Sequence, residues 1–316
     1  MENDWAGTGR SQPDQKKEIM KFSIVSPTYN AEKYIAETIE SVISQKGDFE
    51  IEYIIVDNCS TDNTIKIVKE YESLIREGSP IVKCNKVTMQ WVSKRDRGMY
   101  DAINNGFGMA AGDILAWVNS SDYYFPGAFD IVRKTFSEFP QVKWLAGITS
   151  YINTSSNIFN AGKCYLYDQS WIQKGIYGRA FYFIDQAGSF WHSDLWKRIG
   201  GIDPDLKLAG DYYLWFQFSK LEKLYSLKVP LCCYRLHDGQ LSQNMPSYQE
   251  ECKRIISTSY GLLEKKIRYF MKMEYKIPRT FHRLLYRLMF PGQDLNLIEL
   301  RNNDIVMTKR NYYLGN

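Results

Sequence analysis

The 316-residue sequence holds no apolar run near the ~20 residues that cross a bilayer, so no spanning helix is expected. Residues 1–20, MENDWAGTGRSQPDQKKEIM, lack the apolar core of a secretory signal and read as a flexible polar lead-in. The six cysteines (Cys59, Cys84, Cys164, Cys232, Cys233, Cys252) are scattered, with no Cys-x-x-Cys pair. That pattern argues against a disulfide framework or a zinc site and suits reduced thiols in the cytoplasm. His192, His237 and His282 are too separated in sequence to suggest zinc. No Gly-x-Gly-x-x-Gly follows the first strand-like run, and no Gly-x-x-x-x-Gly-Lys occurs. The dinucleotide fingerprint and the phosphate loop are therefore both missing. A net charge of +4 is too small to argue for nucleic acid, and no such partner is expected.

What the chain has is a soluble globular composition, 44% apolar and 24% charged, with aromatics at 15%. Aromatic rings line carbohydrate sites and also fill cores. The length suits about two domains, or one large α/β domain with an appendage.

Residues 94–122, KRDRGMYDAINNGFGMAAGDILAWVNSSD, form the stretch around which the rest is organised. Met99, Ala102, Ile103, Phe107 and Ala110 share one helical face. Gly112 and Asp113 break that helix, and Ile114–Val118 is a run of strand length. Asn119, Ser120, Ser121 and Asp122 then stand at the strand's carboxyl end, the edge where open α/β sheets bind ligands.

Upstream, Phe22–Ser26 and Tyr53–Val56 read as strands. A helix along Tyr34–Ile43 follows the first, and one carrying Ile65, Val68, Tyr71 and Ile75 follows the second. This alternation argues for parallel βαβ units. Val142–Ser150, Ala187–His192 and Val229–Leu236 look like later strands, and Asp211 opens a helix running to Leu224. Residues 151–185 have weak periodicity and read as containing a mobile loop over the site.

Beyond residue 246 the chain turns basic and helical in pattern, with ten Lys/Arg against four Asp/Glu between Gln249 and Phe290. Phe281, Leu284, Leu285, Leu288 and Met289 lie among Arg279, Arg283 and Arg287. Such a helix can lie on an anionic membrane surface or pack on the domain with its arginines solvated.

Polar groups recur at successive strand ends: Thr28 and Asn30, Asp57, Asp96, and Asn119–Asp122. A carboxylate such as Asp57 can accept from a base or ribose, and Lys94 and Arg97 can meet a phosphate oxygen. Taken alone, a strand-end Asp is more often a cap or turn residue.

The motifs SIVSPTYN (23–30), EYIIVDNCSTDNT (52–64), SKRDRGMYDAINNGFGMAAGDILAWVNSSD (93–122), QAGSFWHSDLWKRIGGIDPDL (186–206), AGDYYLW (209–215) and RLHDGQLS (235–242) occur in this order. Together they make the chain resemble the inverting family-two glycosyltransferases of the GT-A fold, over about residues 21–242. The likeness is to bacterial enzymes that build surface polysaccharides. It implies an α/β fold with a Rossmann-like, mostly parallel central sheet flanked by helices. It divides the chain into the lead-in, a GT-A domain over 21–245 and a basic helical extension over 246–316.

The resemblance implies that Pro27, Thr28 and Tyr29, with Glu32 nearby, hold the donor's base and ribose, and that Asp57 binds a uracil-like edge. Lys94, Asp96 and Arg97 would line the donor sugar and diphosphate. Asn119, Ser120 and Ser121 stand where the family's Asp-x-Asp motif sits, leaving Asp122, with His237, to ligate Mn2+ or Mg2+. Asp211 matches the catalytic base, and the helix dipole would hold it ionised. Hard cations prefer carboxylate oxygens, and this turn keeps only one. Lys94 and Arg97 carrying the leaving-group charge without a metal is thus an alternative.

The function expected is transfer of a hexosyl or N-acetylhexosaminyl group from a nucleotide sugar, a UDP-sugar favoured, to a glycan or lipid-linked acceptor. The place expected is the cytoplasm at the inner membrane face, with peripheral contact through 277–290. The alternatives are a catalytically silent nucleotide-sugar binder and a sugar nucleotidyltransferase.

Overall fold

Phe22–Thr28 is buried throughout, as a parallel strand covered on both faces requires. This strand, β1 (Lys21–Thr28), lies inside the sheet, third from one edge, in the computed structural model. The residues described are 19–177, 183–240, 243–256, 261–273, 276–290 and 295–313. Apart from Ile19 and Met20, the lead-in expected over 1–20 lies outside them.

On one side β1 pairs in parallel with β2 (Lys46–Asp57), which pairs in parallel with β3 (Lys83–Ser93). The register sets Thr28 beside Asp57 and Asp57 beside Ser93, so three polar strand ends come into line. On its other side β1 pairs in parallel with β4 (Ile114–Trp117). The winding reverses between β1 and β4, and that switch point opens the crevice in which such sheets bind ligands.

Helix α1 (Ile35–Ile43) buries Ile35, Thr38, Ile39, Val42 and Ile43. Helix α2 (Thr64–Arg76) buries only Thr64 and Val68. Helix α3 (Met99–Met109) turns Tyr100, Ala102, Ile103, Gly106 and Phe107 inward, close to the stripe read from the sequence. It approaches β1 so closely that a Cβ on Gly106 would stand 2.5 Å from Val25 Cγ1.

The chain continues through β5 (Tyr123–Tyr124), α4 (Ala128–Glu138), β6 (Trp144–Ile152), β7 (Ile158–Asn160) and α5 (Gln169–Gln173). After these come β8 (Ser189–His192), α6 (Ser193–Ile199), α7 (Gly210–Ser219) and β9 (Tyr225–Arg235). Strand β8 lies antiparallel between β4 and β6. Its antiparallel course carries the residues just before it, Asp185 and Gln186, to the carboxyl edge of β4. Helix α7 is held under the sheet by indoles. Trp215 stacks on Trp144 at 5.2 Å and on Trp117 at 6.1 Å between ring centroids, and Trp191 meets it edge-on.

Two expectations change here. Residues 164–177 are folded in, with Cys164, Leu166, Trp171, Ile172, Ile176 and Tyr177 buried, whereas the hairpin residues 153–163 are largely exposed. Of the loop expected over 151–185, residues 178–182 lie outside those described. The C-terminal stretch is not helical alone. After α8 (Met245–Ile255), α9 (Gly261–Met273) and α10 (Arg279–Met289) comes a hairpin, β10 (Leu295–Arg301) and β11 (Asp304–Arg310). Strand β10 pairs in parallel with β9, so the hairpin extends the central sheet. Its two-residue loop is Asn302-Asn303, both at positive φ (52° and 70°), as a hairpin turn that follows the strand twist demands.

Gly106 and Gly108 share helix α3 but should respond oppositely to alanine. A Cβ at Gly106 meets Val25 and Val56, and overpacking of that kind costs about 1–3 kcal/mol. A Cβ at Gly108 meets nothing within 4 Å. Gly108→Ala should therefore stabilise by roughly 0.5–1 kcal/mol, the helix penalty of glycine. Denaturant midpoints at constant slope check both signs.

Candidate active site

The first two turns of the carboxyl edge are laced together. Asn30 takes φ 46° and Cys59 takes φ 54°, so both turns double back tightly. The Asn30 N–H donates to Ser60 Oγ at 2.8 Å, and Asn30 Oδ1 accepts from the Thr61 N–H at 2.9 Å. Glu32 accepts from the backbone and side-chain nitrogens of Asn63. Its own N–H donates to Asp62 Oδ2 at 3.0 Å. Glu32 thus ties one turn to the other. Pro27 and Thr28 are buried at the end of β1, whereas Tyr29, 60% exposed, is free to lie against a planar ligand.

Asp57 differs from expectation. It is fully buried, and its oxygens accept from the Ser60 N–H and hydroxyl and from Ser93 Oγ at 2.6 Å. In this arrangement it braces β2 against β3 rather than facing a base. Next to it, the Lys94 N–H donates to the Asp57 carbonyl at 2.9 Å. Asp96 is half-buried, and burial, with Asp101 and Asp57 nearby, raises its carboxyl above the usual range. Lys94 and Arg97 are exposed beside it, and Arg97 pairs with Asp101 at 3.1 Å. This is the cationic rim of the crevice.

The Asn119–Asp122 turn is fixed from β9. Asp122 is fully buried; its Oδ1 accepts from the Arg235 N–H at 2.9 Å and its Oδ2 from Asn119 Nδ2 at 3.1 Å. Burial lifts its carboxyl to about 7, opposed by those bonds and by the Arg235 charge. Arg235, 1% exposed, donates from Nε to the Ser121 carbonyl at 2.9 Å and pairs with Glu37. Asn119 Nδ2 also faces Gln186 Oε1 at 3.4 Å, which sets the orientation of its amide. Asn119 Oδ1 is buried without a hydrogen-bond partner, leaving one acceptor at the switch point uncommitted.

The proposed cation ligands do not come together. Both Asp122 oxygens are used internally, and His237 Nδ1 lies 2.9 Å from the Asp238 carbonyl while its ring sits against Tyr34. Among the described residues no three His, Cys, Asp or Glu side chains are grouped to hold a metal ion. Asn119, Ser120 and Ser121 supply neutral oxygens only, a poor set for a hard divalent cation. The residues present do not fit Mn2+ or Mg2+.

Asp211 lies in the first turn of α7 and is partly exposed. Its Oδ1 accepts from the Tyr212 N–H at 2.7 Å and from Tyr248 Oη at 3.4 Å. Burial pushes its carboxyl up to about 7, with the charge of Asp185 adding to the rise and the two donors opposing it. Burial therefore outweighs the helix dipole that was expected to keep it ionised. Asp185 is itself raised to about 6 by burial, against hydroxyls of Tyr151 and Thr149.

Helix α8 and helix α3 hold Asp211 in place. The Glu251 carboxylate accepts from the N–H groups of Lys207, Leu208 and Ala209 at 2.8–3.3 Å, meeting donors exposed where α7 begins. Tyr100 Oη donates to the Leu208 carbonyl at 2.6 Å, and a Cβ on Gly210 would strike the Tyr100 ring at 2.6 Å. Lys207 Nζ reaches the Arg97 carbonyl at 3.0 Å. The base candidate is thereby tied to the cationic rim. Arg235 and Gln186 lie within motifs legible in the sequence. Tyr248 and Glu251 carry no local signal and appear only once α8 is folded against α7.

Residues 23–171 match the model of the family described as "Glycosyl transferase family 2". An uncharacterized glycosyltransferase of Rickettsia typhi is 26% identical over 255 residues, 79% of this chain and 74% of the relative. The poly(ribitol-phosphate) beta-N-acetylglucosaminyltransferase TarS of Staphylococcus aureus is 37% identical over 108 residues, 33% of this chain and 17% of the relative. Among solved structures, S. aureus TarS in complex with UDP-GlcNAc superposes with a TM-score of 0.58 at 18% identity, covering 83% of this chain and 74% of that one. A mannosyltransferase from Pyrobaculum calidifontis in complex with GDP-Man and Mn2+ gives 0.54 at 14% identity, covering 84% and 72%. These likenesses show the fold.

Arg235→Met should lose about 1–3 kcal/mol, because the Ser121 carbonyl is left without its donor, while Glu37, 40% exposed, can turn to solvent. Chemical denaturation reads the loss. Tyr248→Phe should leave the fold intact and raise the Asp211 pKa by removing a donor to its charged form. The acidic limb of the pH–rate profile should move to higher pH.

Proposed function

Because residues 23–171 match glycosyltransferase family 2 and the chain carries the GT-A fold, we propose that it is an inverting enzyme of that family with Asp211 as its base. A glycan or lipid-linked acceptor hydroxyl attacks the anomeric carbon of a nucleotide sugar from the face opposite the diphosphate. Its proton passes to the Asp211 carboxylate as the new glycosidic bond forms and the bond to the diphosphate breaks. A base works best with a pKa near the working pH, and the carboxyl of Asp211, pushed up to about 7, meets that condition. This partly exposed carboxyl beside Asp185 is the observation that carries the reading; it also favours an enzyme over a silent binder.

The leaving diphosphate needs positive charge, and the exposed Lys94 and Arg97 supply it in this reading. No step is assigned to a divalent cation, because the residues of the turn do not fit one. Tyr29 and the laced turns of Thr28–Glu32 receive the base and ribose, and Asn119 offers its free oxygen to a donor hydroxyl. A UDP-sugar is the donor favoured, supported by likeness to a transferase solved with UDP-GlcNAc. Assembly of a surface polysaccharide at the inner membrane face is the role this reading assigns.

Removing the base tests it. Asp211→Asn should cut UDP release from UDP-GlcNAc by roughly 10²–10⁴-fold, the usual share of a general base, while binding of the nucleotide sugar by calorimetry stays within a few-fold. Turnover equal to the parent would reject the assignment. In the parent, activity should be full above pH 7 and fall as the pH drops through about 7. The fold follows the opposite sign. A carboxyl raised from its unfolded ~4 favours the protonated native state, so its contribution to stability declines as pH rises through that window. Asp211→Asn should accordingly be no less stable than the parent at pH 8.

A further inference from the structure

Helix α10 has two apolar sides, and among the described residues only one of them is covered. The inner side docks: His282 and Tyr286 are buried, the His282 ring stacks on Phe270 at 4.0 Å, and His282 Nδ1 lies 2.9 Å from Tyr312 Oη. Packing on the domain is thus satisfied without Phe281, Leu284 and Leu288. Those three remain 65%, 53% and 71% exposed, at the three- and four-residue spacing that lines one edge of a helix. Arg279, Arg283 and Arg287, every fourth residue, run alongside and are also exposed. No acidic residue falls between Lys276 and Phe290.

We propose that this outer edge of α10 seats the protein on an anionic lipid surface, Phe281, Leu284 and Leu288 entering the acyl boundary and the three arginines meeting lipid phosphates. The charge decides the occupant. A second copy using the same edge would set arginines against arginines with no carboxylate on the helix to pair them. Anionic headgroups neutralise them, and a guanidinium spans phosphate oxygens in pairs. Arg287 donates to Asn311 Oδ1 at 2.8 Å and Arg283 lies 5.9 Å over the Tyr312 ring, contacts that engage part of each guanidinium and leave further donors outward. No helix among the described residues is long and apolar enough to cross a bilayer, so the contact lies in the plane of the interface. Helix α9 adds Lys265, Lys266 and the exposed Leu262 and Tyr269 to the same C-terminal region. The inference does not depend on which sugar or acceptor the enzyme uses.

The test is co-sedimentation of the full chain with phosphatidylcholine vesicles, with and without phosphatidylglycerol. Truncation at residue 277 is unsuitable, because it also removes β10 and β11 from the sheet. The parent should bind the phosphatidylglycerol vesicles, and less so at high salt. The triple variant Phe281→Ser, Leu284→Ser, Leu288→Ser should bind at least tenfold more weakly. Arg279→Gln, Arg283→Gln, Arg287→Gln should remove the preference for the anionic vesicles. Both variants alter exposed positions, so circular dichroism and UDP release from UDP-GlcNAc without vesicles should match the parent. That comparison separates a failed membrane contact from a failed transferase. Equal partitioning of parent and serine variant, no binding by the parent, or a parent dimer that the serine variant dissolves would each overturn the proposal.

Discussion

Arg235 is 1% exposed, and a guanidinium withdrawn that far from water destabilises a fold by several kcal/mol unless its charge and donors are met. Here they are met on every side: by Glu37 from α1, by the Ser121 carbonyl, by the Asn153 carbonyl and Ser156 Oγ, and by the Tyr34 ring 4.5 Å from its centre. One side chain at the end of β9 therefore joins α1, the β6–β7 hairpin and the turn after β4. Its backbone N–H takes an oxygen of Asp122 as well. The floor of the crevice is a hydrogen-bonded structure built around this cation. That explains why the one carboxylate left in the turn faces inward, with both oxygens taken up by Arg235 and Asn119.

The chemistry stands on a second constraint, the seating of α7. Four tryptophans fix the helix against the sheet, and Glu251 and Tyr100 fix the residues that lead into it. Asp211 is consequently held at a point where burial and a neighbouring carboxylate bring its pKa to about 7, yet it stays reachable. Inverting transfer asks for one such base, whereas a retaining glycosidase needs a second carboxylate as nucleophile. Asp185 is nearby, but Tyr151 holds both of its oxygens at 3.2 Å. Its part is to shape the field around Asp211.

Much of this was legible in the sequence where the signal is local. The buried runs of β1, β2 and β4 and the stripe on α3 follow from apolar spacing, and the polar strand ends follow from their register. What could not be read depends on partners far along the chain. Asp57 looks like an open acceptor until Ser93 is found beside it. Asp122 looks like a ligand until Arg235, over a hundred residues later, arrives through β9. Tyr248 and Glu251 sit in a helix whose composition says only that it is polar. The C-terminal hairpin is a different case. Its Asn302-Asn303 turn is a local signal, overshadowed by the long basic helices before it.

The central claim is a single-base displacement at Asp211, and the configuration of the released sugar tests it most directly. Proton NMR can follow slow hydrolysis of UDP-α-GlcNAc by the full chain, read before the free sugar equilibrates. Inversion predicts that the β-anomer appears first. First appearance of the α-anomer would contradict the account, since a single displacement from the face opposite the diphosphate must invert the anomeric centre.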